Sequence, residues 1–213
     1  MQTFRDSNGL WNNYNINEVA TLTGWENNPE QVLQFYNERR LEAFNAKPNE
    51  AHKAIARLEE KFEVVVITQN IDDLHERGGS SNVIHVHGEL CKARSTIDKD
   101  LIYRINAEPI KMGDTCEKGG QLRPHVVWFG ESIHNEEISR KYIKTACKVL
   151  MVGTSLSVYP AADILKKARY YAEKIIISLD LAKRPYGYKW LRGRAADLVP
   201  HVVDVWLDGK SIK

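Results

Sequence analysis

Four hydrophobic runs in this 213-residue chain end in small polar residues. Phe62 to Thr68 leads into Gln69-Asn70-Ile71-Asp72-Asp73-Leu74-His75, and Val83 to His87 into Gly88-Glu89. Lys148 to Val152 leads into Gly153-Thr154-Ser155, and Lys174 to Leu179 into Asp180. Amides, hydroxyls and carboxylates beyond strand ends suit a ligand with ribose hydroxyls and phosphates. Small residues allow close approach, and donors and acceptors meet the oxygens. A histidine there is also a candidate general base, because its ordinary pKa lies near neutrality. Any one stretch alone reads as an ordinary turn. The four together describe a nucleotide crevice.

Strands must position these residues, and the pattern predicts them. Phe62 to Thr68 is a β-branched run expected to be a strand buried on both faces. Further strands are expected at 83–87, 123–130, 148–152 and 174–179. A helix is expected from Pro29 to about Phe44, capped by Asn28, with Val32, Phe35, Tyr36, Arg39 and Ala43 inward. A second is expected over about 50–59, with Ala51, Ala54, Ile55 and Leu58 inward, and a third over about 161–172. Residues 1–25 read as irregular, and the tail from 191 to 207 has no clear type. Residues 89–122 are charged and irregular and read as an inserted small lobe. The expected architecture is one α/β domain over 1–213: a Rossmann-like parallel sheet, a helical module at about 10–60, and the small lobe.

Composition narrows the class. Lysine plus arginine minus aspartate plus glutamate is 30 − 28 = +2, which asks for neither nucleic acid nor a lipid surface. The 43% hydrophobic and 27% charged content fits a folded soluble domain. No apolar run is long enough for a transmembrane helix, and the first residues carry no signal-peptide pattern. Cys91, Cys116 and Cys147 are too few and scattered for a disulfide framework, which suits a cytoplasmic protein.

The segments TQNIDDLHERGG (68–79), VIHVHGEL (83–90), RPHVVWFGE (123–131) and GTSLSVYPAA (153–162) resemble, in order and spacing, the sirtuins. These are NAD-dependent protein lysine deacylases that act on acylated-lysine proteins. The resemblance implies His87 as the catalytic base. It implies Phe4, Arg5, Gln69, Asn70, Ile71, Asp72, Gly153, Thr154, Ser155, Asp180 and Ala195 as NAD contacts. Asp180 stands where the family usually has asparagine. Phe129, Gly130, Val158 and Tyr159 would pair with the substrate peptide backbone. His85 and His75 are the nearest competitors to His87, but only His87 precedes a glycine at a strand end. Tyr36 and Arg39, three apart on the predicted helix, match the bacterial class III pair that receives succinyl and malonyl groups. The ordinary alternative is an arginine paired with Glu42 beside a half-buried core tyrosine.

Two departures from the family shape the expectations. Its first strand and glycine-rich phosphate loop lie ahead of the Thr-Phe-Arg segment, and here the chain opens at Met1-Gln2-Thr3-Phe4-Arg5. A form lacking them would hold NAD weakly, and the rival reading is a non-catalytic remnant binding ADP-ribose-like ligands or protein tails. The family's structural zinc uses two Cys-x-x-Cys pairs. Here Ser95, Asp98 and Gly119 replace three of those cysteines, so the small lobe is expected to be zinc-free. Packing by Leu101, Ile102, Tyr103, Ile105 and Ile110 would hold it. The sequence leaves the oligomeric state open.

Overall fold

The computed structural model describes residues 10–11, 14–154, 165–181 and 183–212, with side chains from residue 14 onward. In chain order the elements are β1 (Leu10–Trp11), β2 (Tyr14–Asn15), α1 (Ile16–Val19), α2 (Leu22–Asn27), α3 (Pro29–Asn45), α4 (Glu50–Arg57), β3 (Val66–Thr68), α5 (Leu74–Arg77), β4 (Val83–His85), β5 (Gly88–Ser95), β6 (Ile102–Arg104), β7 (Leu122–Val126), α6 (Glu136–Thr145), β8 (Lys148–Val152), β9 (Glu173–Ser178), β10 (Lys189–Arg192) and α7 (Ala195–Leu207). They divide between two compact units. One comprises Met1–Lys47, Thr68–Leu74 and His85–His134; the other comprises Pro48–Ile67, His75–Ile84 and Asn135–Lys213. The expected helical module is therefore divided: α1 to α3 belong to the first unit and α4 to the second.

In the first unit α3 starts where proline and asparagine direct it. The Asn28 side chain accepts from the Gln31 N–H, satisfying an otherwise orphaned donor. Its inner face buries Val32, Leu33, Phe35, Tyr36 and Ala43, and also Arg39 and Arg40. Arg40 ties the helix to the sheet: its Nε donates to the Leu90 carbonyl at 2.7 Å. Burial lowers its pKa to about 10. The small lobe is built on an antiparallel sheet in the order β6-β5-β7, with a register shift between Glu89 and Ala93. The stretch before α3 is not irregular throughout. Asn15 and Thr21 side chains cap the short helices α1 and α2.

In the second unit β8, β9 and β10 run parallel in the order β10-β9-β8. Ile175 and Ile177 pack with Ala51, Ala54, Val199, Val202, Val203 and Trp206; Ile176 packs on the other side with Val149 and Met151.

Several expectations change. Only Val66–Thr68 of the 62–68 run is strand, paired among the described residues with β4, and Val64 to Ile67 are half-buried rather than buried on both faces. The 123–130 strand stops at Val126, since Glu131 N–H returns to the Trp128 carbonyl and Gly130 takes φ +91°. Residues 161–164 of the third expected helix lie outside the described residues, and 166–172 form turns. The untyped tail is β10 followed by α7, a helix that contains Pro200. Of the expected lobe packing, Ile110 and Ile105 take part, joined by Ala93, Leu33, Leu122 and Trp25, whereas Ile102 is exposed.

Candidate active site

In the first unit the two histidines of the Val83–His87 run face one loop. The His87 Nδ1–H donates to the Gln69 carbonyl at 3.0 Å, and the His85 Nδ1–H to the Asn70 carbonyl at 3.2 Å. A ring nitrogen facing a carbonyl must carry the hydrogen, so the neutral His87 ring has its lone pair on Nε2. Burial holds the His87 pKa below its ordinary value, partly offset by the Gln69 carbonyl. His87 is half-buried whereas His85 is buried, so His87 is the more accessible base.

The backbone around His87 is fixed from three sides. Its carbonyl accepts from Val127 N–H at 2.9 Å, and the Val86 carbonyl accepts from His134 N–H at 2.9 Å. Gly88, at φ +82°, lies so near β7 that a Cβ there would stand 2.1 Å from the His125 carbonyl oxygen. Only glycine fits, which explains the histidine-glycine pair structurally.

Of the other predicted contacts in this unit, Gln69 has its side-chain Nε2 buried with no hydrogen-bond partner among the described residues. Asn70 is exposed, and its N–H donates to Thr68 Oγ1. The Ile71 carbonyl accepts from Leu90 N–H. Asp72 is buried, with one carboxylate oxygen accepting from Leu74 N–H at 3.1 Å. An unused amide donor and a buried carboxylate in one loop fit a carboxamide and a ribose hydroxyl. The loop that carries them reaches His87 through the Gln69 carbonyl and His85 through the Asn70 carbonyl.

In the second unit the predicted residues gather at the carboxyl edge of the parallel sheet. Gly153 follows β8 at φ +68°, and its N–H donates to the Ile177 carbonyl at 2.9 Å. Half-buried Thr154 comes next. Asp180 lies exposed just past β9, with Oδ1 accepting from Leu181 N–H. Ala195 opens α7. This is the edge where parallel sheets bind ligands. Phe4, Arg5, Ser155, Val158 and Tyr159 lie outside the described residues.

Tyr36 and Arg39 are both buried, at 1% and 4% exposure. Tyr36 Oη accepts from the Trp128 indole N–H at 3.1 Å, and burial raises the phenol pKa above its ordinary value. The phenol therefore stays protonated with its own hydrogen to donate. Arg39 Nη2 meets Glu42 Oε1 at 3.1 Å and Glu38 at 4.0 Å, and its guanidinium lies 5.3 Å from the Phe35 ring centre. The pairing with Glu42 is the ordinary alternative named for this arginine. Phe129 N–H donates to the Ala20 carbonyl at 2.9 Å, so part of its backbone edge is occupied within the chain. Gly130 beside it has open space at its Cα.

Sequence reasoning assigned no role to the network behind Trp128. Glu131 bonds Arg94 at 2.6 Å, Arg123 at 2.9 Å through each oxygen, and Trp128 N–H at 2.8 Å. The Arg123 guanidinium stacks 3.3 Å from the Trp128 ring centre. Burial alone would raise the Glu131 pKa, but Arg123, the Trp128 N–H and Arg94 bring it below the usual carboxylate value. The chain thus runs from Glu131 through Trp128 to Tyr36. Its only sequence signal was the charged flanks of RPHVVWFGE. His125 and His134 stack beside it, 4.9 Å between ring centres. Burial, then His134, Arg94, Lys92 and Arg123, lowers the His125 pKa to about 4.

At the corner of the small lobe, Cys116 Sγ donates to Ser95 Oγ at 3.2 Å, and Lys118 pairs with Asp98 at 2.7 Å. Cys91 is half-buried in β5 and Cys147 is exposed. No helix among the described residues is long and apolar enough to cross a membrane.

Residues 1–160 match the profile of the Sir2 family. A curated NAD-dependent protein deacylase of Helicobacter pylori is 48% identical over 168 residues, 79% of this chain and 73% of that protein. A solved Sir2 homologue–NAD complex superposes with a TM-score of 0.84 at 36% identity, covering 98% of this chain and 84% of that one. A structure described as Sir2 bound to acetylated peptide gives a TM-score of 0.76 at 27% identity, covering 91% and 84%.

Proposed function

The chain belongs to the Sir2 family of NAD-dependent protein deacylases, and from that premise we propose that it removes short acidic acyl groups, succinyl and malonyl, from lysines of cytoplasmic proteins. On this reading neither nucleic acid nor a membrane takes part, and the small lobe needs no zinc. The observation that carries the acyl preference is the burial of Tyr36 and Arg39 one helical turn apart on α3.

NAD, when bound, supplies the ribose carbon that the acyl oxygen attacks and nicotinamide as the leaving group. Gln69 Nε2, Asn70 and Asp72 would hold the nicotinamide and its ribose. Gly153, Thr154, Asp180 and Ala195 would hold the adenosine end. His87 takes up a proton at Nε2 while its Nδ1–H stays on the Gln69 carbonyl. Its depressed pKa keeps it neutral, and so competent as a base, at neutral pH. Arg39 and the Tyr36 hydroxyl would meet the carboxylate of the acyl group. An acidic acyl buried without such partners would cost several kcal/mol.

The test is a pair of kcat/KM values for matched succinyl- and acetyl-lysine peptides. Arg39→Met should lower kcat/KM for succinyl-lysine by about 2–4 kcal/mol equivalent, the range for stranding a buried charged partner. Deacetylation should stay similar or improve. An equal loss on both substrates would make the arginine structural and end the acidic-acyl reading.

A further inference from the structure

Arg39 already has an anionic partner inside the chain. Glu42 Oε1 stands 3.1 Å from Arg39 Nη2, and Glu38 Oε2 stands 4.0 Å from the same nitrogen. The arginine side chain is 5% exposed, while that of Glu42 is 45% exposed. The guanidinium is thus buried, with its counter-charge at the boundary with solvent. Phe35 lies against one side of the guanidinium, and Tyr36 is three residues before Arg39 on the same helix.

We infer that Glu42 sets the breadth of acyl specificity by competing with the substrate carboxylate for Arg39. This inference rests on the reading that Arg39 and Tyr36 receive the acyl group. A guanidinium presents five N–H donors, so Glu42 and an acyl carboxylate could share it, but two carboxylates on one cation repel each other. With a neutral acyl group no second anion arrives, and Glu42 keeps the buried arginine compensated. Glu42 therefore weakens the hold on acidic acyl groups and makes neutral ones tolerable. A pocket with Arg39 but no Glu42 would favour acidic groups more sharply. With acetyl-lysine it would leave the buried cation without its 3.1 Å pair to Glu42.

The Glu42 side chain is 45% exposed, so Glu42→Gln keeps size and most hydrogen-bonding capacity while removing the charge. The measurement is KM and kcat for matched succinyl- and acetyl-lysine peptides, with Arg39→Met and the double variant beside it. Glu42→Gln should lower KM for the succinyl peptide about three- to tenfold, the scale of a partly exposed charge pair. The acetyl peptide should gain nothing, so the succinyl-to-acetyl ratio of kcat/KM rises. Raising the salt concentration should shrink the difference. Glu42→Asp, whose shorter carboxylate retreats from Nη2, should fall between wild type and Glu42→Gln and guards against misfolding of the first variant. In the Arg39→Met background Glu42→Gln should change nothing.

An unchanged ratio in Glu42→Gln while Arg39→Met still selectively loses succinyl activity overturns the competition and leaves the acyl reading standing. Equal loss of both activities in Arg39→Met overturns both. A rise in the ratio that persists without Arg39 would also sink the inference, because Glu42 would then act on the substrate directly.

Discussion

The two compact units bury very different things. The unit carrying α3 and β5 to β7 buries Arg39, Arg40, Arg123, Asp72, His85 and His125 among its apolar side chains. The unit carrying β8 to β10 and α7 is almost wholly apolar inside, and Lys174 is its buried charge among the described residues. That ammonium donates to the carbonyls of Arg169 and Tyr170 and lies 5.9 Å from the Tyr188 ring centre, with no carboxylate against it among the described residues. The first unit thus holds polar groups in fixed places at a cost in desolvation, offset by specific pairings. The second stacks isoleucines and valines, whose contribution scales with area and depends little on direction. Positioning a base and an acyl receptor requires direction, and the residues proposed for those roles, His87 with Tyr36 and Arg39, belong to the first unit.

If that contrast is right, a change that breaks the polar network should do the most damage. Glu131→Ala leaves Arg94 and Arg123 without their shared carboxylate, and these side chains are 12% and 6% exposed. A loss of about 3–5 kcal/mol in unfolding free energy is expected, the usual result of removing one partner of a buried ion pair. Denaturant unfolding measures it, and a loss below about 1 kcal/mol would show the network to be merely a surface feature.

His87→Tyr separates chemistry from stability in the same unit. Turnover should fall by roughly 10²-fold or more while the melting temperature stays close to wild type. The acid limb of kcat/KM in the wild-type protein should lie below about 6.5, the ordinary histidine value, because burial lowers the His87 pKa. Near-wild-type turnover would remove His87 from the base role.

Ile176→Val probes the other unit. Ile176 is fully buried between Val149, Met151 and Leu165, so loss of one methylene should cost about 1 kcal/mol. The kcat should not change. A drop in kcat with stability intact would contradict the division of labour.

Acid should also discriminate between the units. His125 carries its proton at about pH 4 in the folded chain but near its ordinary 6.5 when unfolded. Between those values the unfolded chain binds more protons. The contribution to stability is therefore complete above pH 6.5 and fades as pH falls toward 4. The melting temperature should decline over that window, and His125→Phe should flatten the decline. An unaltered slope in the variant would place the acid sensitivity elsewhere.

Much of this was legible from residue order, where causes are local. Asn28-Pro29 marks the start of α3, and 3.6-residue spacing selects Tyr36 and Arg39 as inward. The possible partner Glu42 sits three residues from Arg39, and β8 and β9 are short apolar runs that end in polar residues. α7 was illegible for an equally physical reason. LVPHVVDVW is rich in β-branched residues and contains Pro200, so local propensity speaks against a helix. Packing of Val199, Val202, Val203 and Trp206 against Ile175 and Ile177 overrides it.

What the sequence by itself determined is the set of chemical groups, their local geometry and the family they resemble. The His87-Gly88 pair, the amide and carboxylate after β3, and the Tyr36–Arg39 face are each written within a stretch of a few residues. Only tertiary structure decided which partners those groups have. Trp128 donates to Tyr36 from 92 positions away, Arg40 reaches Leu90 across 50, and Arg94 meets Glu131 across 37. No periodicity encodes such pairs, because hydrogen bonds and ion pairs depend on distance in space, which chain order specifies only once the fold has formed.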